Sequence, residues 1–160
     1  MFQHYSKRAG KIVSLLVLIF STSAFAEEMQ LGVILGSLTG ISGKYRLDNG
    51  RAIDGALAYT FDGRKGMSIH ADYLIDPARR LNAGELTPLN LYYGLGARVS
   101  DITDGSDRGK ARVGIRAPIG INYLTTNPNL ELFGELVPVL DLAPSTDVHL
   151  NAGIGARFRF

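Results

Sequence analysis

The last thirteen residues of the chain alternate strictly between apolar positions and positions that are polar, charged or glycine. The sequence here is VHLNAGIGARFRF, and every second residue from Val148 to Phe160 is apolar. Successive side chains of a β-strand point to opposite faces. The alternation therefore predicts a long strand with one apolar face and one polar face.

Similar alternation recurs along most of the chain and predicts an all-β protein with eight strands. Turn residues separate the segments, and none has the periodicity of an amphipathic helix. Pro118 and Pro138 lie within predicted strands, where each removes a ladder hydrogen bond, so we expect a bulge or bend near one or both. The predicted strands span residues 29–36, 40–47, 52–61, 67–75, 89–100, 112–125, 130–142 and 146–160.

The first 26 residues have the three parts of a secretory signal peptide. Lys7, Arg8 and Lys11 form a basic region, residues 12–20 are apolar except for Ser14, and the small-x-small sequence AFA ends at Ala26. This nine-residue segment is too short for a transmembrane helix, which needs about 20 residues. We expect cleavage after Ala26, which leaves one domain over residues 27–160.

Removal of this segment changes the charge of the protein. The chain has 17 basic and 15 acidic residues, and three of the basic residues lie in the leader. The mature domain is therefore nearly neutral and gives no support for nucleic-acid binding. Cysteine is absent, and no later segment is a candidate transmembrane helix. A membrane protein of this sequence would have to be a β-barrel.

The polar faces of the predicted strands carry most of the charged residues. A soluble ligand-binding barrel would be apolar inside and polar outside. The opposite arrangement, charged inside and apolar outside, favours a barrel whose outer face contacts lipid. Eight strands enclose a space that side chains just fill, so the interior charges must pair. The predicted lumen network comprises Lys44, Asp54, Arg98, Arg112, Arg116, Glu131, Glu135, Asp141, Arg157 and Arg159.

Turn geometry predicts which of these charges face each other. If the Asp-Asn-Gly loop places Gly50 in the left-handed conformation, Lys44 lies opposite Asp54. Glycines on the polar faces are expected to make room inside a narrow barrel. A second loop, near residues 143–145, predicts that Asp141 pairs with His149, Glu131 with Arg159 and, diagonally, Glu135 with Arg157.

Aromatic residues sort by strand direction when the first strand runs outward from the periplasm. Aromatic girdles at both interfaces are typical of outer-membrane barrels. The expected outer group is Tyr59 and Phe61. The expected periplasmic group is Tyr45, Tyr73, Tyr123, Phe158 and Phe160.

Several stretches resemble a family of small, largely uncharacterised outer-membrane barrel proteins of Gram-negative bacteria. They are TGISGKYRL, AIDGALAYTF, HADYLI, LYYGLGARV, RVGIRAPIGINYL, ELVPVLDLAPST and GIGARFRF. The ending also resembles the signal read by the barrel-insertion machinery, with Gly155, Phe158 and Phe160 at the corresponding positions. The resemblance implies an eight-stranded antiparallel up-and-down transmembrane β-barrel, and it implies no activity or catalytic residues.

Two candidate chemical sites carry weaker signals. A lipid A-modifying enzyme would need a histidine beside a nucleophile, and Ser68, His70 and Asp72 share one strand face. That face points into the lumen, whereas an acyl chain arrives from the lipid side. The loop at 101–109 lacks the twelve-residue pattern of a tight calcium site. Its possible oxygen ligands are Asp101, Asp104 and Asp107.

We therefore expect a non-enzymatic outer-membrane barrel with a closed lumen, without metal or cofactor, and with a structural or surface-interaction role. Its expected partners are outer-membrane lipid and lipopolysaccharide, and the barrel-insertion machinery during assembly. No nucleic-acid partner is expected, and a monomer is expected. Three alternatives stay open: a narrow channel for small solutes or ions, a lipid A-modifying enzyme, and a soluble periplasmic barrel.

Overall fold

The computed structural model describes residues 29–160 except for 49, 61–65, 77–79, 82–88 and 104–107. The predicted signal peptide and Phe61 lie outside the described residues. Within them no helix is suited to crossing a membrane. The strands are β1 (Met29–Gly36), β2 (Leu38–Asp48), β3 (Arg51–Thr60), β4 (Gly66–Ile75), β5 (Arg80–Leu81), β6 (Leu89–Asp101), β7 (Ala111–Arg116), β8 (Ile119–Leu124), β9 (Leu130–Ala143) and β10 (Asp147–Arg159).

The strands form one antiparallel sheet that closes into a ring, which confirms the all-β prediction. Strands β1 to β4 pair in chain order, and β4 pairs with β6. Both β7 and β8 lie between β6 and β9, one following the other. The ring closes because β9 pairs with β10 and β10 returns to β1. The two-residue β5 adds to β6. Closure gives the long strands partners on both sides and removes the exposed edges of an open sheet.

The two ends of the ring are named by the course of the first strand. We call the end where β1 begins the lower rim and the end where β1 finishes the upper rim. The turn from β2 to β3 at the lower rim follows the sequence prediction. Gly50 has a φ of 109°, which an L-residue rarely adopts, and Lys44 lies opposite Asp54.

Two segments differ from the eight predicted strands. The segment predicted as one strand over 112–125 is interrupted at Ala117 and Pro118, where it divides into β7 and β8. Strand β9 instead runs through Pro138 without a break. The second difference is β5, which lies in the predicted connection after β4.

The two prolines weaken neighbouring parts of the sheet at the same level. The Gly94 N–H donates to the Pro118 carbonyl at 2.8 Å, and the Ala117 N–H donates to the Pro138 carbonyl at 3.0 Å. A hydrogen-bonded antiparallel pair normally exchanges two such bonds. Proline has no N–H, so each of these pairs keeps only one.

Burial alternates along the strands and separates two chemically different faces. In β3 and β4, buried and exposed residues follow each other almost without exception. The inward face mixes charged residues with apolar ones such as Leu74 and Val139, each 1% exposed. The outward face is apolar: Val148 is 71%, Ile154 66% and Ile41 65% exposed. This polarity is the reverse of that of a soluble domain, in which charged side chains are rarely buried.

We predict that replacing Pro118 with alanine strengthens the sheet locally. Alanine supplies the N–H that the Gly94 carbonyl lacks, so hydrogen exchange at the Gly94 and Ala117 amides should slow. Exchange measured by mass spectrometry on the folded protein checks this. The Gly55 amide on β3 is the control and should not change. Equal or faster exchange at Gly94 would contradict the assignment of the weak point to Pro118.

Candidate functional site

The interior of the ring contains a balanced set of charges. Among the described residues, ten charged side chains are buried and none is more than 8% exposed. Nine of them belong to the predicted lumen network, and the tenth is Asp72. Arg159, also predicted there, lies half-buried at the lower rim. The basic members are Lys44, Arg98, Arg112, Arg116 and Arg157, and the acidic members are Asp54, Asp72, Glu131, Glu135 and Asp141.

Inward-facing glycines let these side chains meet across a strand. Asp72 on β4, Gly96 on β6 and Arg116 on β7 are directly paired in register. Gly96 has no side chain, and Arg116 Nε reaches across it to Asp72 Oδ2 at 2.9 Å. A Cβ atom at position 96 would collide with Asp72 Oδ1. The bridge therefore depends on glycine between its two ends.

Among the residues that the structure describes, the same arrangement of two interacting side chains on either side of a glycine occurs three more times. In each case the three residues are directly paired on three adjacent strands. The bridges are Arg98 Nη2 to Asp141 Oδ1 at 2.9 Å across Gly114, Tyr92 Oη to Glu135 Oε2 at 3.1 Å across Gly120, and Arg157 Nη2 to Ser42 Oγ at 2.8 Å across Gly32.

Longer contacts connect strands that are not neighbours in the lower half of the interior. Lys44 Nζ on β2 donates to Glu131 Oε1 on β9 at 2.9 Å. Arg157 Nη2 on β10 donates to Asp54 Oδ2 on β3 at 2.8 Å, and Arg157 Nη1 lies 3.7 Å from Glu131 Oε1. The side chains of all four residues are at most 2% exposed. Charges desolvated to this degree are stable only when paired.

The predicted pairing of Glu131 with Arg159 is wrong. Glu131 lies opposite Arg157. Arg159 lies opposite Gln30 on β1, and it makes no ion pair with another described residue. The hairpin between β9 and β10 brings Asp147, rather than His149, opposite Asp141. This shift of two residues keeps every side chain on its predicted face, because faces alternate with a period of two. It also places Glu135 opposite Gly153, so the predicted diagonal with Arg157 is wrong as well.

Two aromatic side chains belong to the network and were missed by the sequence prediction. Tyr92 donates a hydrogen bond to Glu135, and its ring centroid lies 5.5 Å from Lys44 Nζ. The Arg157 guanidinium lies 3.9 Å from the Phe133 ring centroid. These distances are in the range of cation–π contacts. Tyr92 could have been included, since it shares the inward face of its strand with Arg98.

A second cluster surrounds Asp141 near the upper rim. Besides Arg98, Arg112 Nε lies 3.5 Å from Asp141 Oδ2. His149 Nδ1 lies 3.8 Å from the same oxygen, and His149 Nε2 lies 2.7 Å from Arg98 Nη2. The His149 side chain is 29% exposed. This histidine is therefore the point at which the buried network reaches the surface.

The residues considered for catalysis do not assemble a nucleophile and base. His70 Nε2 lies 4.0 Å from Asp72 Oδ2, which is too far for a hydrogen bond. The Ser68 hydroxyl and His70 Nδ1 have no hydrogen-bond partner among the described residues. Nucleophilic catalysis needs these groups within hydrogen-bond reach of each other.

The candidate cation loop is only partly described. Asp101 Oδ1 accepts a hydrogen bond from the Met67 N–H, whereas Asp104 and Asp107 lie outside the described residues. In the described part of the chain, no cluster of three or more histidine or acidic residues could hold a metal ion.

A carboxylate also anchors the turn region at the lower rim. Asp76 follows β4; its N–H donates to the Gly50 carbonyl at 2.8 Å, and its Oδ2 lies 3.9 Å from Arg46 Nη2. Burial raises the pKa of the Asp76 carboxyl above its ordinary value, and the positive charges of Lys44 and Arg46 act in the opposite direction. This group connects two neighbouring hairpins outside the strands.

The outward aromatic residues collect mainly at the lower rim. Register places Tyr45, Tyr73 and Tyr123 close to strand ends there. The rings of Phe158 and Phe160 contact each other edge to face, with centroids 5.4 Å apart. Tyr93, which the prediction omitted, also faces outward near this rim and is 45% exposed. Tyr59 lies at the upper rim, one residue from the end of β3.

Gly155, the glycine of the predicted insertion signal, faces inward, where a Cβ would collide with the Phe133 ring.

Comparison of the chain with known protein families, curated proteins and solved structures finds no match.

We predict that two neighbouring arginines on the same strand face contribute very differently to stability. Arg157→Met removes the ion-pair partner of the buried Asp54 and should lower the free energy of unfolding by about 3–5 kcal/mol. Arg159→Met, at the rim, should change it by no more than about 0.5 kcal/mol. Urea titration of the folded protein measures both. Equal effects of the two substitutions would argue against a buried network.

We also predict that inward and outward glycines differ in their tolerance of a side chain. At Gly120 a Cβ would collide with the Tyr92 ring, so Gly120→Ala should cost about 1–3 kcal/mol of stability. At Gly134 the nearest atom would be 3.8 Å away, and Gly134→Ala should be tolerated. The same urea titration compares the two variants. A tolerated Gly120→Ala would contradict the proposed role of glycine in the bridges.

Proposed function

We propose that this chain is a small β-barrel that spans the bacterial outer membrane, with a closed charge-paired interior and a structural or surface-interaction role. The observation that carries the proposal is the inverted polarity of the ring. Outward positions between the rims are apolar or glycine, and the buried charges lie on the inward face. On β10 the outward residues are Val148, Leu150, Ala152, Ile154, Ala156 and Phe158. An apolar band of this extent is typical of lipid-facing barrel surfaces and unusual on soluble monomers.

The pairing of the strands supports an eight-stranded barrel. Because β7 and β8 occupy one position between β6 and β9, they act as a single strand interrupted by Pro118. Directly paired residues, followed from strand to strand around the ring from Gln30 on β1, lead to His149 on β10. Gln30 itself pairs with Arg159, so the two ends of the row are ten residues apart along β10. Such a stagger tilts the strands of a closed barrel, typically by about 35–45°. Even strand numbers from eight upward are typical of bacterial outer-membrane barrels.

The interior contacts favour a plugged barrel over a channel. The ion pairs of Lys44 with Glu131 and of Arg157 with Asp54 join strands on different sides of the ring. Arg116 also contacts both Asp72 and Glu135, at 2.9 and 3.5 Å. An eight-stranded barrel has an interior just wide enough for side chains. Ions would have to displace these buried pairs to pass.

Fractionation of cells that express the full chain tests the membrane proposal. The protein should co-sediment with outer membranes, require detergent for extraction, and migrate differently on gels before and after heating. Release with the soluble periplasmic fraction would contradict the proposal and favour a soluble barrel.

Two further measurements test the proposed role of the barrel. The purified protein in planar bilayers should show no unitary conductance, because its interior charges are paired; defined channel steps would favour the narrow pore. Mass spectrometry of lipid A from expressing cells should show no change. A modified lipid A that disappears with His70→Ala or His149→Ala would favour an enzyme.

A further inference from the structure

A groove crosses the outward face of the ring over β6, β8, β9, β10 and β1. Its volume is about 580 Å³. Its two walls are neighbouring rows of outward side chains, and its floor is the backbone between these rows. The first row is Leu91, Ile121, Gly134, Ile154 and Leu35, and the second is Ile119, Leu136 and Ala152. Gly134 leaves a gap in the first wall, and a Cβ there would be in ordinary van der Waals contact, 3.8 Å from the nearest atom.

The groove follows a paired row that climbs the ring from one rim toward the other. Its ends are Leu91, two residues after the start of β6 at the lower rim, and Leu35, one residue before the end of β1 at the upper rim. Four strand spacings of about 4.8 Å separate these ends, which gives a length of roughly 19 Å. One leaflet of a hydrocarbon core about 30 Å thick is roughly 15 Å deep. The groove is therefore long enough for one tilted acyl chain.

The width and chemistry of the groove also suit a single hydrocarbon chain. Its two walls are two residues apart along each strand, roughly 7 Å, which is too narrow for an α-helix about 10–12 Å in diameter. The outward side chains that line it are leucine, isoleucine and alanine. Glu135 lies behind it, but its side chain faces inward and accepts the Tyr92 hydrogen bond. A chain in the groove would contact side chains on two flanks and backbone beneath, and so gain more dispersion contacts than on a convex surface.

We propose that this groove binds one acyl chain of a membrane lipid and makes β8–β10 a preferred lipid-binding face of the barrel. The inference rests on the proposed membrane location. It goes further, because a barrel in a bilayer could contact lipid equally on all sides.

Photo-cross-linking tests the proposal on the full chain in phosphatidylcholine vesicles. The vesicles contain a phospholipid with a diazirine at the middle of one acyl chain, and mass spectrometry maps the labelled residues. We expect labelling of Ile121 and Ile154 to exceed that of Ile41 and Ile69, which are exposed on the opposite face. Gly134→Leu fills the gap in the wall, narrows the groove and should remove this excess. The matched control, Ala71→Leu, adds the same side chain to the opposite face and should leave the excess unchanged.

A heat-dependent gel shift verifies that both variants form the barrel before labelling. Equal labelling of the two faces, or an excess that survives Gly134→Leu, would overturn the lipid site and leave the membrane proposal intact. Cross-links between two copies of the chain at Ile121 or Ile154 would show that a second barrel fills the groove instead. A chain that is labelled on neither face would overturn the lipid site together with the proposed membrane location.

Discussion

The structure depends on one constraint: a charge enclosed by a closed sheet must find an opposite charge or a hydrogen-bond partner inside the same narrow space. An unpaired buried charge costs several kcal/mol, more than a small domain can tolerate at many positions. The chain meets this constraint with equal numbers of buried basic and acidic side chains among its described residues. Glycine makes the pairing possible, since a long side chain such as Arg116 crosses the strand at Gly96 to reach Asp72. The glycines beneath the bridges are thus part of the network.

The outward face follows from the same alternation. Each strand that turns charged residues and glycines inward turns apolar residues outward, so the interior network and the apolar band are two results of one sequence pattern. This apolar band is not uniform in two respects. Aromatic residues cluster at the lower rim, and a groove at Gly134 interrupts the surface over β9. The prolines at 118 and 138 weaken the sheet on the same side. The side of the ring formed by β7 to β10 therefore differs from the more regular side formed by β2 to β4.

Alternation and turn chemistry predicted most of the strands and the inward face of the charged residues in the network. The pairing of Lys44 with Asp54 was also predictable, because a short loop with Gly50 determines the register of its hairpin. The partner of Glu131 was not, because the longer loop between β9 and β10 allows registers that differ by two residues and keep the same faces. Bridges across glycine join residues far apart in sequence, so only the order of strands around the ring reveals them. The break at Pro118 could be anticipated as a bend. The continuity of β9 through Pro138 depends on pairing with the neighbouring strands β7 and β10.

Site-directed spin labelling tests the central claim, that the apolar outer face contacts lipid, most directly. The chain has no cysteine, so single cysteines can be introduced without background labelling. Labels at Leu136 and Ile154, in the middle of the band, are compared in vesicles with a label at Arg51 on the lower rim. The account predicts that the two band labels are accessible to dissolved oxygen and shielded from a water-soluble nickel complex, whereas the label at Arg51 is accessible to the complex. Band labels that react with the nickel complex as readily as the rim label would contradict it.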